Sequence, residues 1–243
     1  MVTCVLARAF VNGDGEFGNP ALVVLEPGGV RLDGARRQAL ADELGVPATV
    51  FVPAAGSGSG RREVRIHGSY GQAIRFGGHP LLATTEVLHR LGSPVSELAP
   101  EAGTVGCRRD ERGTVWLTAP AAWSKPWRHY EMGSPAEIEA LTELPPGEDF
   151  TQVWAWADRE AGRIRARLWA PRIGKGEDEA CGSASMLLAL KLGRPLEVLH
   201  GRHRAAILVR PLDESRVELG GRCVLDEAGP EVTTRVQAAY AGA

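Results

Sequence analysis

The sequence lacks the features that mark several common classes of protein. Its 243 residues contain four cysteines, and no two of them have the C-x-x-C spacing of a zinc or redox motif. No apolar run approaches the length of about 18 residues that a membrane span needs. The first residues also lack the charged and apolar regions of a signal peptide. We therefore expect a soluble, cytoplasmic protein with reduced thiols and no membrane partner.

A strong charge of either sign is also missing. The formal net charge is −2, and the arginines are scattered along the chain, which argues against a nucleic-acid partner. The Gly/Ser run at 56–60 lacks the strand-to-helix context of a dinucleotide fingerprint. No Cys/His cluster has the spacing of metal ligands. The sequence therefore predicts neither a cofactor nor a metal site.

What the sequence does contain is an order of elements that occurs twice. A predicted helix at 31–45 is followed by a strand, a turn, a second strand, a glycine-containing elbow in "FGGHP", and a helix that Pro80 begins and Gly92 ends. A predicted helix at 133–144 is followed by the same series, which closes with the helix in "ACGSASMLLALKLG". An accidental similarity between two α+β segments is the alternative interpretation.

The other segments, such as "ALVVLEP", "TVWLTAP" and "AAILVRPL", are short and rich in strand-forming residues. The repeated order and these strands together predict an α+β fold of two similar lobes related by a pseudo-twofold axis. Each lobe is expected to be a mostly antiparallel sheet around a helix. The predicted limits are 1–118 for the N-terminal lobe and 119–243 for the C-terminal lobe.

In each predicted lobe a helix begins directly after a glycine-containing elbow. The first N–H groups of a helix have no partner within the helix, and the helix dipole adds partial positive charge there. Such a helix start favours a small carboxylate ligand and also a thiolate. We expect that Gly78 and Gly182 carry no side chain because a ligand approaches the backbone closely.

Several side chains near these elbows are candidates for function. Cys181 stands at a helix start beside Asp178, and the alternative is that it is a small buried residue. His79 is the first-lobe counterpart of Ser183, and it could equally be a capping or packing residue. The acidic neighbours Glu177 and Glu179 are interpreted as a solvated loop. The remaining cysteines and histidines are interpreted as structural or surface residues: Cys4, Cys107, Cys223, His67, His89, His129, His200 and His203.

The segments "AFVNGDGEFGNPALVVL", "ATVFVP", "FGGHPLLAT", "RLWAPRIGKGEDEACGSAS" and "VELGGRCV" resemble, in order and spacing, the PhzF-like (phenazine-biosynthesis-like) family. The resemblance implies the diaminopimelate-epimerase fold, with two barrel-like lobes, each around a central helix, and an active site between them. It also implies cofactor-independent proton transfer on small amino-acid-derived or cyclic carboxylates, in secondary metabolism such as antibiotic biosynthesis. It further suggests a homodimer.

The resemblance carries roles to particular residues. It implies that His79 and Asp178 are catalytic, and substrate contacts are implied for Asn19, Gly78, Gly182 and Ser183. The chain also departs from the family pattern. The segment "RIHGSYGQAIRFGGHP" lacks the glutamate of the corresponding family run, and two single positions differ as well. The usual glutamate, which acts as acid and base, is Ala48 here. The usual threonine is Cys181, which instead looks like the second catalytic-cysteine motif of the diaminopimelate epimerases.

These residues favour an isomerase that shifts a proton, by double-bond isomerisation or tautomerisation, because one group on one face can take and return the proton. An epimerase or racemase normally needs an acid on each face of the carbon, and it is the alternative because the chain offers one thiol at the elbows. A non-catalytic carboxylate-binding relative is a further alternative, since Ala48 cannot move a proton. Cys181, or Asp178 with His79, is the predicted proton-transferring group.

Overall fold

The computed structural model describes residues 2–54, 60–69, 71–143, 150–170 and 175–242. Most of the Gly/Ser run at 56–60 therefore lies outside the described residues. The chain is a mixed α+β protein that divides into two units. The first unit comprises Met1–Ala9, Pro20–Leu117 and Cys223–Ala243, and the second comprises Phe10–Asn19 and Thr118–Arg222.

The units are not simple halves of the sequence. Phe10–Asn19 groups with the second unit although it comes early in the chain, and Cys223–Ala243 groups with the first unit although it comes last. The limits 1–118 and 119–243 stay a prediction about domains. We call the segment Phe10–Asn19 the arm, because it leaves the first unit, takes part in the second and returns.

The described residues form sixteen strands and five α-helices. The first nine strands are β1 (Thr3–Ala9), β2 (Asn19–Leu25), β3 (Thr49–Val52), β4 (Arg61–Glu63), β5 (Arg65–Gly68), β6 (Gln72–Ile74), β7 (Glu97–Ala99), β8 (Val105–Arg109) and β9 (Thr114–Pro120). The others are β10 (Arg128–Glu131), β11 (Thr151–Asp158), β12 (Arg163–Ala170), β13 (Lys175–Glu177), β14 (Leu196–His200), β15 (Ala205–Pro211) and β16 (Arg216–Asp226). The helices are α1 (Gly34–Leu44), α2 (Gly78–Arg90), α3 (Pro135–Ala140), α4 (Gly182–Leu192) and α5 (Pro230–Ala241).

In the first unit, most strand pairs are antiparallel. The end of β16 pairs with β1, and the order continues through β2, β3, β5 and β6, with the β2–β3 pair parallel. A second run joins β4, β7, β8 and β9. Helix α2 packs on β1, β3 and β8, and its residues from Pro80 to Leu88 are all buried.

The last helix completes a separate core of the first unit. Val236 and Tyr240 of α5 pack with Leu40 of α1 and with Leu22 and Phe51 of the sheet. The cluster joins residues more than two hundred positions apart in the sequence, so residues 223–242 are needed for this core.

In the second unit, β10 and β11 are parallel, β11 and β12 antiparallel, and β12 and β14 parallel. The sheet continues antiparallel through β15 to the first part of β16. Helix α4 packs on β15 and β10. It follows β12 and the short strand β13, which turns back along β12. The chain therefore enters α4 directly from the sheet edge that carries Asp178.

The predicted repeated order is present in the structure. The series α1, β3, β5, α2 corresponds to α3, β11, β12, α4, although the pseudo-twofold relation between lobes stays a prediction. Local signals set the helix limits: Asp33 caps α1, Ser134 caps α3, and Gly193 ends α4 with a φ of 65°. Helix α2 begins at Gly78 and not at Pro80, so His79 lies in its first turn.

None of the helices in the described ranges combines the length and the apolar character that crossing a membrane requires.

Candidate functional site

Five of the predicted site residues come together at the start of α4 in the second unit. The backbone N–H of Asp178 donates to the carbonyl of Leu168 at 2.9 Å, which fixes the residue at the end of the β12–β13 pair. One carboxylate oxygen, Oδ1, accepts hydrogen bonds from the Asn19 side-chain amide at 2.9 Å and from the Ala180 N–H at 3.2 Å. Both donors are neutral, so they orient the carboxylate without cancelling its charge.

Asn19 reaches Asp178 from the arm. Its side-chain nitrogen also donates to the Ala180 carbonyl at 2.8 Å, and the residue is only 8% exposed. A buried amide needs such partners, since an unsatisfied polar group in the interior costs about 1–3 kcal/mol. Asn19 therefore connects the arm to the loop before α4 by two hydrogen bonds, one to the Asp178 side chain and one to the main chain of Ala180.

Cys181 is buried at the N-cap position of α4. It is 4% exposed and packs in an apolar cluster with Trp127, Leu168 and Ala184. Its Sγ lies 3.6 Å from the Ser183 hydroxyl, and it makes no side-chain capping hydrogen bond to the described part of the helix. The surroundings are those of a small core residue, which was the alternative interpretation of this thiol.

Gly182 lacks a side chain for a different reason from the one expected. A Cβ atom at this position would lie 3.0 Å from Leu219 Cδ2 and 3.1 Å from Phe10 Cζ. The space beside Gly182 is therefore filled by protein, and the expectation that a ligand approaches the backbone there is wrong for this face of the residue. The glycine allows the arm, through Phe10, to pack against the start of α4.

Ser183, in the first turn of α4, is partly exposed. Its hydroxyl oxygen accepts a hydrogen bond from Trp127 Nε1 at 2.8 Å. Because an indole N–H can only donate, the hydroxyl proton of Ser183 is left to bond another acceptor. Asp178 and Ser183 are thus the predicted site residues of this unit that retain surface for a ligand, whereas Asn19, Cys181 and Gly182 are buried.

The acidic neighbours of Asp178 are paired, so the interpretation of a solvated acidic loop is wrong for them. Arg167 donates to both carboxylate oxygens of Glu177, at 2.6 and 2.7 Å. Glu179 is bound by His203, at 2.9 Å from its N–H and 3.1 Å from its Nδ1. Charge-assisted contacts of this kind are stronger than neutral ones, and they hold the loop on either side of Asp178.

Two histidines that the sequence did not single out contact this region. His200 is completely buried, and its Nδ1 lies 3.1 Å from the Glu179 carbonyl. Burial lowers the pKa of His200 to about 4, although the Asp178 charge acts in the opposite direction. His129 bonds the Ala184 carbonyl at 2.9 Å, and burial lowers its pKa. No local motif marks them, because each contact joins residues over twenty positions apart.

The two other predicted site residues, Gly78 and His79, lie at the start of α2 in the first unit. Gly78 and Gly182 each begin a helix, and His79 and Ser183 are each the second residue, as the sequence comparison indicated. Gly77, the N-cap of α2, has no side chain to cap the helix. Ala48 is fully buried before β3, where the family pattern has glutamate. The three structural cysteines lie in strands β1, β8 and β16, as expected.

Among the described residues there is no group of three or more His, Cys, Asp or Glu side chains that could hold a metal ion.

Comparison with known proteins finds one matching family model and several solved structures with a similar fold. The family model of the phenazine biosynthesis-like proteins (PhzC-PhzF) matches residues 9–155. A phenazine biosynthesis protein of the PhzF family from Bacillus anthracis has a similar structure, with a TM-score of 0.73, 17% identity, and coverage of 93% of this chain and 98% of that chain.

Two further solved structures have the same fold. A PhzF-family protein from Enterococcus faecalis gives a TM-score of 0.69 at 19% identity, with coverage of 92% of this chain and 96% of that chain. A protein from Pseudomonas aeruginosa described as a predicted epimerase gives a TM-score of 0.65 at 19% identity, with the same coverage of both chains.

Proposed function

The chain belongs to the phenazine biosynthesis-like (PhzC-PhzF) family, and from this we propose that it is a cofactor-independent isomerase that shifts a proton on a small amino-acid-derived or cyclic carboxylate. The observation that carries the proposal is the setting of Asp178. Its partly exposed carboxylate is oriented by the Asn19 amide and the Ala180 N–H, directly before the first turn of α4. A fixed, accessible carboxylate is the group that proton transfer to and from carbon requires.

In the proposed reaction Asp178 takes a proton from carbon and returns it to another atom of the same conjugated system. The intermediate carries negative charge on the substrate, and donors that are already in place stabilise it. The N–H groups in the first turn of α4 and the Ser183 hydroxyl are the proposed donors. They would also bind the substrate carboxylate, for which a helix start is suited.

Asp178 is a better candidate for the proton transfer than Cys181. A base must reach the proton it removes, within about 3 Å or through one water. Cys181 is 4% exposed and is packed among apolar side chains, whereas Asp178 is partly exposed. We therefore assign Cys181 a packing role at the start of α4 and Asp178 the acid and base role.

The role of His79 is proposed from the family resemblance and from its place in the first turn of α2. Substrate contacts by Gly78 and a proton-transferring role of His79 stay predictions from the resemblance. Ala48 leaves the position of the usual glutamate without an ionisable group. A reaction that one carboxylate can complete is therefore favoured over one that needs two.

Two other functions have support from specific observations. One of the similar structures is described as a predicted epimerase, so inversion at a substrate carbon is the second candidate reaction. The alanine at position 48 supports a carboxylate-binding protein without catalysis. The three functions differ in what they do to a carbon-bound hydrogen.

The test is the exchange of carbon-bound hydrogen with solvent deuterium, followed by NMR and mass spectrometry over a panel of small amino acids and cyclic unsaturated acids. Deuterium uptake with a moved double bond supports the isomerase. Uptake with inverted configuration supports the epimerase, and binding without uptake supports the binding protein.

Variants of Asp178 and Cys181 test which of the two residues transfers the proton. We expect Asp178→Asn to lower the exchange rate about 10²–10⁴-fold, which is the usual contribution of general acid–base catalysis. Cys181→Ala should retain most of the rate. Glu197→Gln is the control, since it removes a surface carboxylate that pairs with Arg163 in the same unit. Full loss in Cys181→Ala together with a normal rate in Asp178→Asn would contradict the assignment.

A further inference from the structure

Glu179 is held by the end of β14 and by the turn that follows it. Its carboxylate accepts the His203 N–H at 2.9 Å and lies 3.1 Å from His203 Nδ1. Its carbonyl oxygen lies 3.1 Å from His200 Nδ1. Gly201, with a φ of 67°, brings its α-carbon so close to the Glu179 backbone that any side chain there would collide with it. The residue after Asp178 is therefore fixed by both its main chain and its side chain.

The same histidine also binds the arm. The Phe17 ring stacks on the His203 imidazole with the ring centroids 3.8 Å apart and the planes at 3°. Phe17 has a φ of 56°, in the left-handed region that costs a residue with a side chain about 1 kcal/mol or more. It is also 43% exposed. The stack gives a reason why a strained and half-exposed position carries a large aromatic ring.

These contacts lie close in sequence to both partners of the Asn19–Asp178 hydrogen bond. Phe17 is two residues before Asn19, and Glu179 directly follows Asp178. The arm and the loop before α4 are thus joined twice, once by the Asn19–Asp178 hydrogen bond at 2.9 Å and once through His203. The Asn19–Asp178 hydrogen bond is partly buried, and the contacts of His203 with Glu179 lie at the surface.

We propose that Phe17, His203 and Glu179 form a clasp that holds the Asn19 amide against the Asp178 carboxylate. The three are positioning residues, because they act on Asp178 through the two segments that they join. The importance of the clasp for catalysis depends on the proposed function, but its effect on Asn19 does not. Without the clasp, the Asn19–Asp178 hydrogen bond opens more often and the carboxylate loses its fixed direction.

The test measures the Asn19 side chain directly, in the full-length protein and without a substrate. The two side-chain N–H signals of Asn19 are assigned by ¹⁵N NMR, and their exchange with solvent is followed. We expect His203→Ala and Glu179→Gln to raise that exchange rate about tenfold, because the Asn19–Asp178 hydrogen bond then opens locally more often. Glu197→Gln, which removes a different surface carboxylate of the same unit, should leave the rate unchanged.

A pair of substitutions at Phe17 separates the stack from general packing. Phe17→Tyr keeps an aromatic ring on His203, so the Asn19 side-chain N–H groups should exchange at the rate of the unaltered protein. Phe17→Leu keeps an apolar side chain without the ring, so the same groups should exchange faster. Both place a residue with a side chain at the same φ of 56°, so backbone strain is matched.

The proposal is overturned if Asn19 exchange is the same in His203→Ala as in the unaltered protein, or if Phe17→Leu behaves like Phe17→Tyr. Failure of the proposed function has a different signature. In that case Asp178→Asn would leave solvent deuterium exchange unchanged, whatever the clasp variants do to the Asn19 signals.

Discussion

A buried charge network in the first unit gives a prediction whose size can be worked out. Glu26 is almost completely buried, and Arg37 donates to its two carboxylate oxygens at 2.9 and 2.7 Å. The Tyr240 hydroxyl donates to the same carboxylate at 2.8 Å. Burial, first, and the hydrogen bond to Glu26, second, raise the pKa of Tyr240 well above its usual value, so the phenol remains a donor.

Tyr240→Phe removes one donor to a buried charge and changes little else. A hydrogen bond to a charged group contributes about 1.5–3 kcal/mol, so we expect the free energy of unfolding to fall by about that amount. Arg37→Ala removes the charged partner and leaves Glu26 buried, which costs about 3–5 kcal/mol. We therefore expect the free energy of unfolding to be lowest in Arg37→Ala, intermediate in Tyr240→Phe and highest in the unaltered protein.

The pH dependence follows from the raised pKa of Tyr240. The folded protein holds the phenol proton more tightly than the unfolded chain, in which tyrosine titrates near about 10. The stabilising contribution is therefore complete below about pH 10 and is lost as the pH rises above that value. Tyr240→Phe should lack this part of the alkaline loss of stability.

Native-state hydrogen exchange at the amides of α5 is the assay, because it reports the stability of this unit separately. Tyr130→Phe is the control for the loss of a phenol hydroxyl, since Tyr130 is 57% exposed and lies in the second unit. It should change the free energy reported by the α5 amides by less than about 0.5 kcal/mol. If Tyr240→Phe were no more destabilising than Tyr130→Phe, the network would not hold α5 in place and the reasoning would be refuted.

Three other predictions concern the second unit. Gly182→Ala should destabilise it by about 1–3 kcal/mol in urea unfolding, because the added methyl group meets Leu219 at 3.0 Å. Burial lowers the pKa of His200 to about 4, from about 6.5 in the unfolded chain. The free energy of unfolding should therefore fall by up to about 3 kcal/mol as the pH drops from about 6.5 to 4. In His200→Gln this part of the pH dependence should be absent. Cys181 should react with iodoacetamide more slowly than the partly exposed Cys4, as measured by peptide mass spectrometry.

The starts and ends of helices can be predicted from the sequence, because residues close together in the chain determine them. Asp33 and Ser134 accept hydrogen bonds from N–H groups three residues later, and Gly193 takes a left-handed conformation at the end of α4. Each of these structures depends on residues a few positions apart, so the sequence pattern is sufficient. The repeated order of helices and strands was predicted on the same basis.

The partners in the candidate site could not be predicted in this way. Asn19 was a candidate from a motif, yet its partner Asp178 lies 159 positions away. Glu177 and Glu179 read as solvated because charged runs usually are, and only the folded chain brings Arg167 and His203 to them. The reason for glycine at position 182 was missed for the same reason, since Phe10 comes from the arm.

The exchange of segments between the units has a consequence for synthesis. A chain grows at about 5–20 residues per second. Tyr240 lies 214 positions after Glu26, so it is added on the order of 10–40 s later. The second unit has all its residues once Arg222 has emerged, while the first still lacks Cys223–Ala243. The unit that the ribosome starts first is therefore the last to be completed, and Glu26 gains the hydrogen bond from Tyr240 only at the end of synthesis.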